Sequence, residues 1–143
     1  MVEGNKDDCL LIERAFQEAP LQVRFQRLKD CEEAVAYLEG RGDYANREKY
    51  PLPKVILLNL DFTMPGSFEF LKWLRTYKRD NYRLLPTLVI SSSDEPQDIN
   101  RAYEYGVNAY LAKPSASENF KERLQALALF WGQAVEIPQL HEP

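Results

Sequence analysis

The chain of 143 residues predicts an α/β fold, a parallel sheet wound on both faces by helices. Two observations carry that prediction. Short apolar runs alternate along the chain with segments of helical periodicity, and no repeat or low-complexity linker interrupts them. The run 55–60 is apolar except for Asn59, with Pro51 and Pro53 before it and Pro65-Gly66 after it, which suits a strand covered on both faces. With 45% apolar and 28% charged residues, the chain is expected to be one globular domain over residues 1–143 with a core of its own.

A chain alternating in this way should open on a strand, yet only Met1-Val2-Glu3 precede the first loop. The first strand is therefore expected to be truncated or nearly absent. A start lying upstream, a sheet short at its centre, and a gap filled by another chain all remain open. Leu10, Leu11, Ala15, Phe16 and Ala19 mark the apolar face of a first helix, capped by Asn5 or Asp7 and ended by Pro20. Residues 23–28 alternate apolar and polar as an edge strand does. Asp30 caps a second helix through Ala34, Val35 and Leu38, closed by Gly40. Residues 41–53 read as a loop carrying Tyr44 and Tyr50. A helix is expected from about Ser67 to Lys78 with Phe70, Leu71 and Leu74 inward, then a strand at 87–91. Ile99, Ala102 and Tyr103 line a helix ending at Gly106, and 107–112 form a further strand. The last helix starts near Ser117, with Phe120, Leu124, Leu127, Ala128 and Trp131 on one side, and 133–143 are a short tail.

Several function classes are disfavoured. A net charge of −4 argues against a nucleic-acid surface. Lys72, Arg75, Lys78, Arg79 and Arg83 cluster around the end of a predicted helix, where cations suit the macrodipole, and read as a solvated face. No apolar run has the length of a membrane span and no basic-then-apolar leader occurs, so the expectation is a cytoplasmic protein with no membrane contact. Cys9 and Cys31 fit neither a metal spacing nor a Cys-x-x-Cys pair and are expected to be reduced thiols. His141, the sole histidine, lies in the tail, and no nucleophile has an adjacent base, so no free-standing enzyme is expected.

In open α/β sheets the ligand site lies beyond the carboxyl ends of the strands, which directs attention to Asn59 and Asp61. Four landmarks then line up. Val2-Glu3-Gly4-Asn5-Lys6-Asp7-Asp8 looks like an acidic first loop, 55–66 like a phosphoacceptor strand with its loop, Val89-Ile90-Ser91-Ser92-Ser93 like a hydroxyl-bearing strand end, and 108–114 like a strand with a Lys-Pro end. At this spacing they resemble the receiver domain of bacterial response regulators, across essentially the whole chain. The loop 41–53 and the Phe130-Trp131 ending are similar to a subgroup of stand-alone receivers, some of which serve phytochrome-type kinases. The resemblance implies a five-stranded parallel sheet of order 2-1-3-4-5 flanked by five helices, and a place in two-component phosphorelay signalling. In that family a kinase histidine passes a phosphoryl group to an aspartate beside Mg²⁺, with charge neutralised by the ion and a lysine.

Carried over position by position, Lys113 matches the lysine, followed by Pro114 through a bond that is cis in the family. Ser91 matches the phosphoryl-binding hydroxyl, Tyr110 the aromatic that reports the switch, Glu3 the first acid, and Asp61 the residue lending a backbone carbonyl to the metal. Gly4 stands where the second acid belongs, and Asn59 where the acceptor aspartate belongs. A carboxamide oxygen is a poor nucleophile, its lone pairs delocalised and its charge absent. Mg²⁺ favours carboxylate oxygens. Glu3 alone is expected to face Lys113 and close the pocket as an ion pair, while Asp7 and Asp8, which could be metal ligands, read more simply as first-turn acids of the first helix.

The function implied is a stand-alone pseudo-receiver that is not phosphorylated at the usual position, binds Mg²⁺ weakly or not at all, and works through protein contacts. The competing reading is a Mg²⁺-dependent phosphoryl-accepting regulator using Asp61 or another acid; a small-ligand binder using the crevice is a more distant third. The contact surface would include Tyr103, Tyr105, Tyr110, Phe120 and Trp131, with core packing as the competing assignment for Phe120 and Trp131. Expected partners are a sensor histidine kinase, another signalling protein, or a second copy meeting the face of the fourth helix, fifth strand and fifth helix.

Overall fold

The computed structural model describes residues 1–60, 66–77, 81–114 and 119–140. Three parallel strands make its centre, β1 (Ile56–Asn59), β2 (Thr87–Ser91) and β3 (Ala109–Ala112), in that spatial order. Leu58 pairs with Val89, and Val89 with Tyr110. All residues of β1 and β2 are buried, as continuous apolar runs between two helical layers must be.

Val2 extends this sheet by isolated parallel bridges to Leu58 on one side and Leu28 on the other. Val2 N–H donates to Leu57 C=O at 2.8 Å, Asn59 N–H to Val2 C=O at 3.0 Å, and Leu28 N–H to Met1 C=O at 2.9 Å. The spatial order Leu28, Val2, β1, β2, β3 therefore follows the expected 2-1-3-4-5 scheme, with the first strand cut to one doubly paired residue. The expected edge strand at 23–28 is reduced to the bridge at Leu28, with the Met1 amino group donating to Gln26 C=O at 2.8 Å.

The helices α1 (Lys6–Glu18) and α5 (Phe120–Leu129) cover one face. Ile12, Ala15, Phe16, Phe120, Leu124 and Ala128 close there over Leu57, Leu88 and Ile90. The opposite face is covered by α2 (Cys31–Glu39), α3 (Ser67–Thr76) and α4 (Pro96–Glu104), whose Ala34, Leu38, Leu71, Leu74 and Ala102 meet Leu58, Leu60 and Val89. Alternation of side chains along each strand supplies both cores from one run. The inward stripe of α1 differs from the expected one: Leu10 and Leu11 are exposed, while Cys9 and Ile12 join Ala15 and Phe16 inside. Asn5 is the cap, its side-chain oxygen accepting from Asp7 and Asp8 N–H. Asp30 caps α2 by accepting from Glu33 N–H at 2.8 Å, and Gly40, at φ +66°, ends it.

Arg75 is not part of a solvated face. Its guanidinium is half-buried and donates to the carbonyls of Gly106, Arg83 and Leu85 and to Thr87 Oγ1, at 2.9 to 3.1 Å. Lys78, Arg79 and the expected helix start at Ser117 lie outside the described residues. Among the described residues no helix is long and apolar enough to cross a membrane.

Candidate functional site

Three backbone ends converge at the carboxyl edge of the sheet. Asn59 closes β1 with only 8% of its surface exposed, Ser91 closes β2, and Lys113 follows β3, its N–H donating to Ser91 C=O at 2.6 Å. Glu3 enters beside them because its neighbour Val2 is bonded to both Leu28 and β1. The parallel register thus gathers residues 3, 59, 91 and 113 without any of them being close in sequence.

Lys113 forms the expected ion pair, but with a different acid. Its Nζ lies 2.8 Å from Asp8 Oδ2, not against Glu3. Asn5 places Asp8 in the first turn of α1 by capping its N–H at 3.0 Å, which turns that helix end towards the Lys113 loop. Glu3 is 4% exposed, and its Oε1 accepts from Asn5 N–H at 2.9 Å. Its Oε2 is buried with no hydrogen-bond partner among the described residues. Gly4 supplies no side chain, and Asp61 lies outside the described residues. No carboxamide hydrogen bond of Asn59 occurs among the described residues, its backbone N–H being committed to Val2 C=O.

Ser91 does not reach Asn59. Its Oγ donates to Leu60 C=O at 2.8 Å and accepts from Ser93 N–H at 3.1 Å, bridging β2 to the end of β1. Ser93 continues the chain of contacts: its Oγ donates to Asp98 Oδ2 at 2.6 Å, and its C=O accepts from Tyr110 OH at 2.8 Å. Tyr110 is thereby held half-buried against the α4 side of the sheet. No cis peptide bond occurs among the described residues, so the Lys113–Pro114 bond is trans, contrary to the family pattern. Asp8 and Ser93 were the participants missed. Asp8 carried a signal as the second of two acids in the first turn, and Ser93 lay in the hydroxyl-bearing run that singled out Ser91.

On the outer face, Tyr103 is 49% exposed. Tyr105 is half-buried, its ring 5.1 Å from that of Phe68, over which Arg101 sits at 3.9 Å. Of its two assignments Phe120 takes the core one, against its place in the contact surface: at 7% exposure it packs between α1 and α5, because its helix lies directly on α1. Trp131 is partly buried against the same core, and Phe130 is the exposed aromatic beside it.

Among the described residues no group of three or more His, Cys, Asp or Glu is placed to hold a metal ion. The donor set does not fit a hard divalent cation well. Asp8 is spent on Lys113, Asn59 offers a neutral oxygen, Gly4 offers none, and Glu3 contributes one unpaired oxygen.

No protein-family model matches the chain. A probable methanogenesis regulatory protein, FilR2, of Methanothrix harundinacea is 31% identical over 134 residues, covering 92% of this chain and 81% of that protein. The two-component response regulator ARR16 of Arabidopsis thaliana is 31% identical, covering 75% of this chain and 68% of its own. Response regulator Rcp1 of Synechocystis is 27% identical over 96% of this chain and 90% of that protein. Among solved structures, the response regulator RPA3017 in red light signalling of R. palustris superposes with a TM-score of 0.87 at 28% identity, covering 96% of this chain and 95% of that one. The Mn²⁺-bound form of Rcp1 superposes at 0.83 with 27% identity, covering 96% of both chains.

Proposed function

Because the chain belongs to the response-regulator receiver family of two-component signalling, we propose that it is a receiver working by protein contact, without phosphorylation at the usual position. One observation carries this reading: a carboxamide, Asn59, ends the central strand where the family's nucleophile belongs. Two further features support it. Ser91 Oγ is engaged as donor and acceptor within the sheet edge, and Lys113 is paired with Asp8, so the groups that would hold a phosphoryl oxygen are already satisfied. The poor donor set supports weak or absent Mg²⁺ binding. A regulator of this kind is not a catalyst; it docks on a sensor histidine kinase, on another signalling protein, or on a second copy through the face of α4, β3 and α5 where Tyr103 is exposed.

The test is incubation of the purified chain with acetyl phosphate and Mg²⁺, followed by peptide mapping, beside titration calorimetry with Mg²⁺ and with a candidate kinase. The expected result is no label, no measurable Mg²⁺ heat, and kinase binding that ignores acetyl phosphate. A stoichiometric label on residue 59 or Asp61 overturns the proposal. One observation favours that second reading, a Mg²⁺-dependent acceptor using Asp61 or another acid: the unpartnered, buried Oε2 of Glu3 is an oxygen that a cation would satisfy.

A further inference from the structure

The outward stripe of α1 holds Asp7, Leu10, Leu11 and Arg14, a spacing of i, i+3, i+4, i+7 that sets all four side chains on one side of the helix. All four are exposed, Leu10 at 50% and Leu11 at 43%. Two leucines side by side on a stripe that faces water leave apolar surface that α1 cannot bury by itself. Other charges of the helix are already committed: Glu13 beside the stripe pairs with Arg27, and Glu18 at its far end with Lys121 of α5. Among the described residues, the Asp7 carboxylate and the Arg14 guanidinium form no ion pair. The stripe is thus an apolar centre with one unpaired acid at its start and one unpaired base at its end.

That pattern is complementary to itself. Turned end over end about a two-fold axis between positions 10 and 11, the stripe sets Leu10 against Leu11 of a second copy and Asp7 against that copy's Arg14. The same contacts recur in reverse on the other side of the axis. A parallel pairing would instead oppose acid to acid and base to base. We propose that a second copy of this chain docks on this face, α1 against α1 and antiparallel, with the leucines at the centre and an Asp7–Arg14 ion pair at each end. The occupant is named by the charge order, which a second copy matches by construction and which the opposed helix dipoles favour as well. An apolar centre with charges at its rim is the anatomy of a contact patch. One face of a 13-residue helix is short of the area a permanent interface buries, so the pairing is weak and concentration-dependent. Because α4 lies on the opposite face of the sheet, a pair joined through α1 leaves both α4 faces open and presents them together to one partner. The pairing stands independently of the phosphorylation question.

The experiment is sedimentation velocity on the full chain over a concentration series reaching about 300 μM at low salt, with circular dichroism to check that each variant is folded. A monomer–dimer equilibrium is expected with a Kd of roughly 10–100 μM, weaker in about 0.5 M salt, where exposed ion pairs are screened. Leu10→Glu is expected to abolish it. Asp7→Arg and Arg14→Asp each oppose like charges at both ends and are expected to weaken it about tenfold. Both swaps in one chain restore the complementarity, and the Kd is expected to return to within about threefold of the parent value, a recovery that a folding defect cannot produce. Four outcomes overturn the proposal: a chain monomeric throughout, a dimer indifferent to Leu10→Glu, a dimer lost by Tyr103→Ala instead, or a double swap no tighter than the single ones. None of the four touches the reading of Asn59.

Discussion

Asn59, Asp8 and Lys113 decide the chemistry at the sheet edge, and each decision is electrostatic. The Lys113–Asp8 pair is partly exposed, so its worth is modest. Asp8→Asn and Lys113→Met, combined in a double-mutant cycle by urea unfolding, are expected to show a coupling of about 1 kcal/mol or less. Asn59→Asp is a sharper probe. It sets an ionisable acid into a site 8% exposed, one strand from Glu3, whose second oxygen is already unpartnered. In a chelator it is expected to cost roughly 1–3 kcal/mol of stability. Added Mg²⁺ should recover part of that loss, read as a rise in Tm absent from the parent chain. Asn59 itself was legible from its place at the end of an apolar run bounded by prolines. The lysine's partner was not: Glu3 and Asp8 are both acids of the first loop, and only the direction of α1 chooses between them.

Arg75 ties several elements together through one guanidinium. From α3 it reaches the carbonyl of Gly106 at the end of α4, the turn carbonyls of Arg83 and Leu85, and Thr87 at the start of β2. Burial pushes its guanidinium below the ordinary arginine range, and no carboxylate among the described residues forms an ion pair with it. Arg75→Met removes these donors and leaves several carbonyls unmatched; chemical denaturation is expected to show a loss of roughly 2–4 kcal/mol. Gly106 is matched to the same contact. Its φ of +82° suits glycine, and a Cβ there would come within 2.9 Å of Arg75 Nε. Gly106→Ala is expected to cost about 1–3 kcal/mol, and in the Arg75→Met background less, because one of the two penalties is then gone. Composition alone counted Arg75 among five basic residues of a surface cluster, since charge says nothing about which neighbour is a carbonyl.

For the molecule as a whole, buried acids of high pKa set the alkaline limit. Burial raises Cys31 and Tyr37 above their ordinary values of 9.0 and 10.0, and burial together with the hydrogen bond to Glu33 raises Tyr44 further. In each case the folded chain keeps a proton that the unfolded chain gives up first. Stability from these groups is therefore complete below about pH 9 and falls as the pH climbs through 9 and 10 towards the folded values. Urea midpoints measured between about pH 8.5 and pH 10.5 are expected to decline; a midpoint that rises above pH 9 contradicts the assignment.

The alternation of strands and helices, the caps Asp30 and Gly40, the strand at 87–91, the near-absence of a first strand and the amide at the end of β1 were all readable from the chain, because each depends on a local pattern of period, cap or turn. Three-dimensional packing turned Leu10 and Leu11 outward, decided for Phe120 between core and surface, and paired Lys113 with Asp8 across 105 residues of sequence. Local patterns say which residues belong to an element; the angle at which that element lies on its neighbours says which side chain of several chemically equal ones arrives.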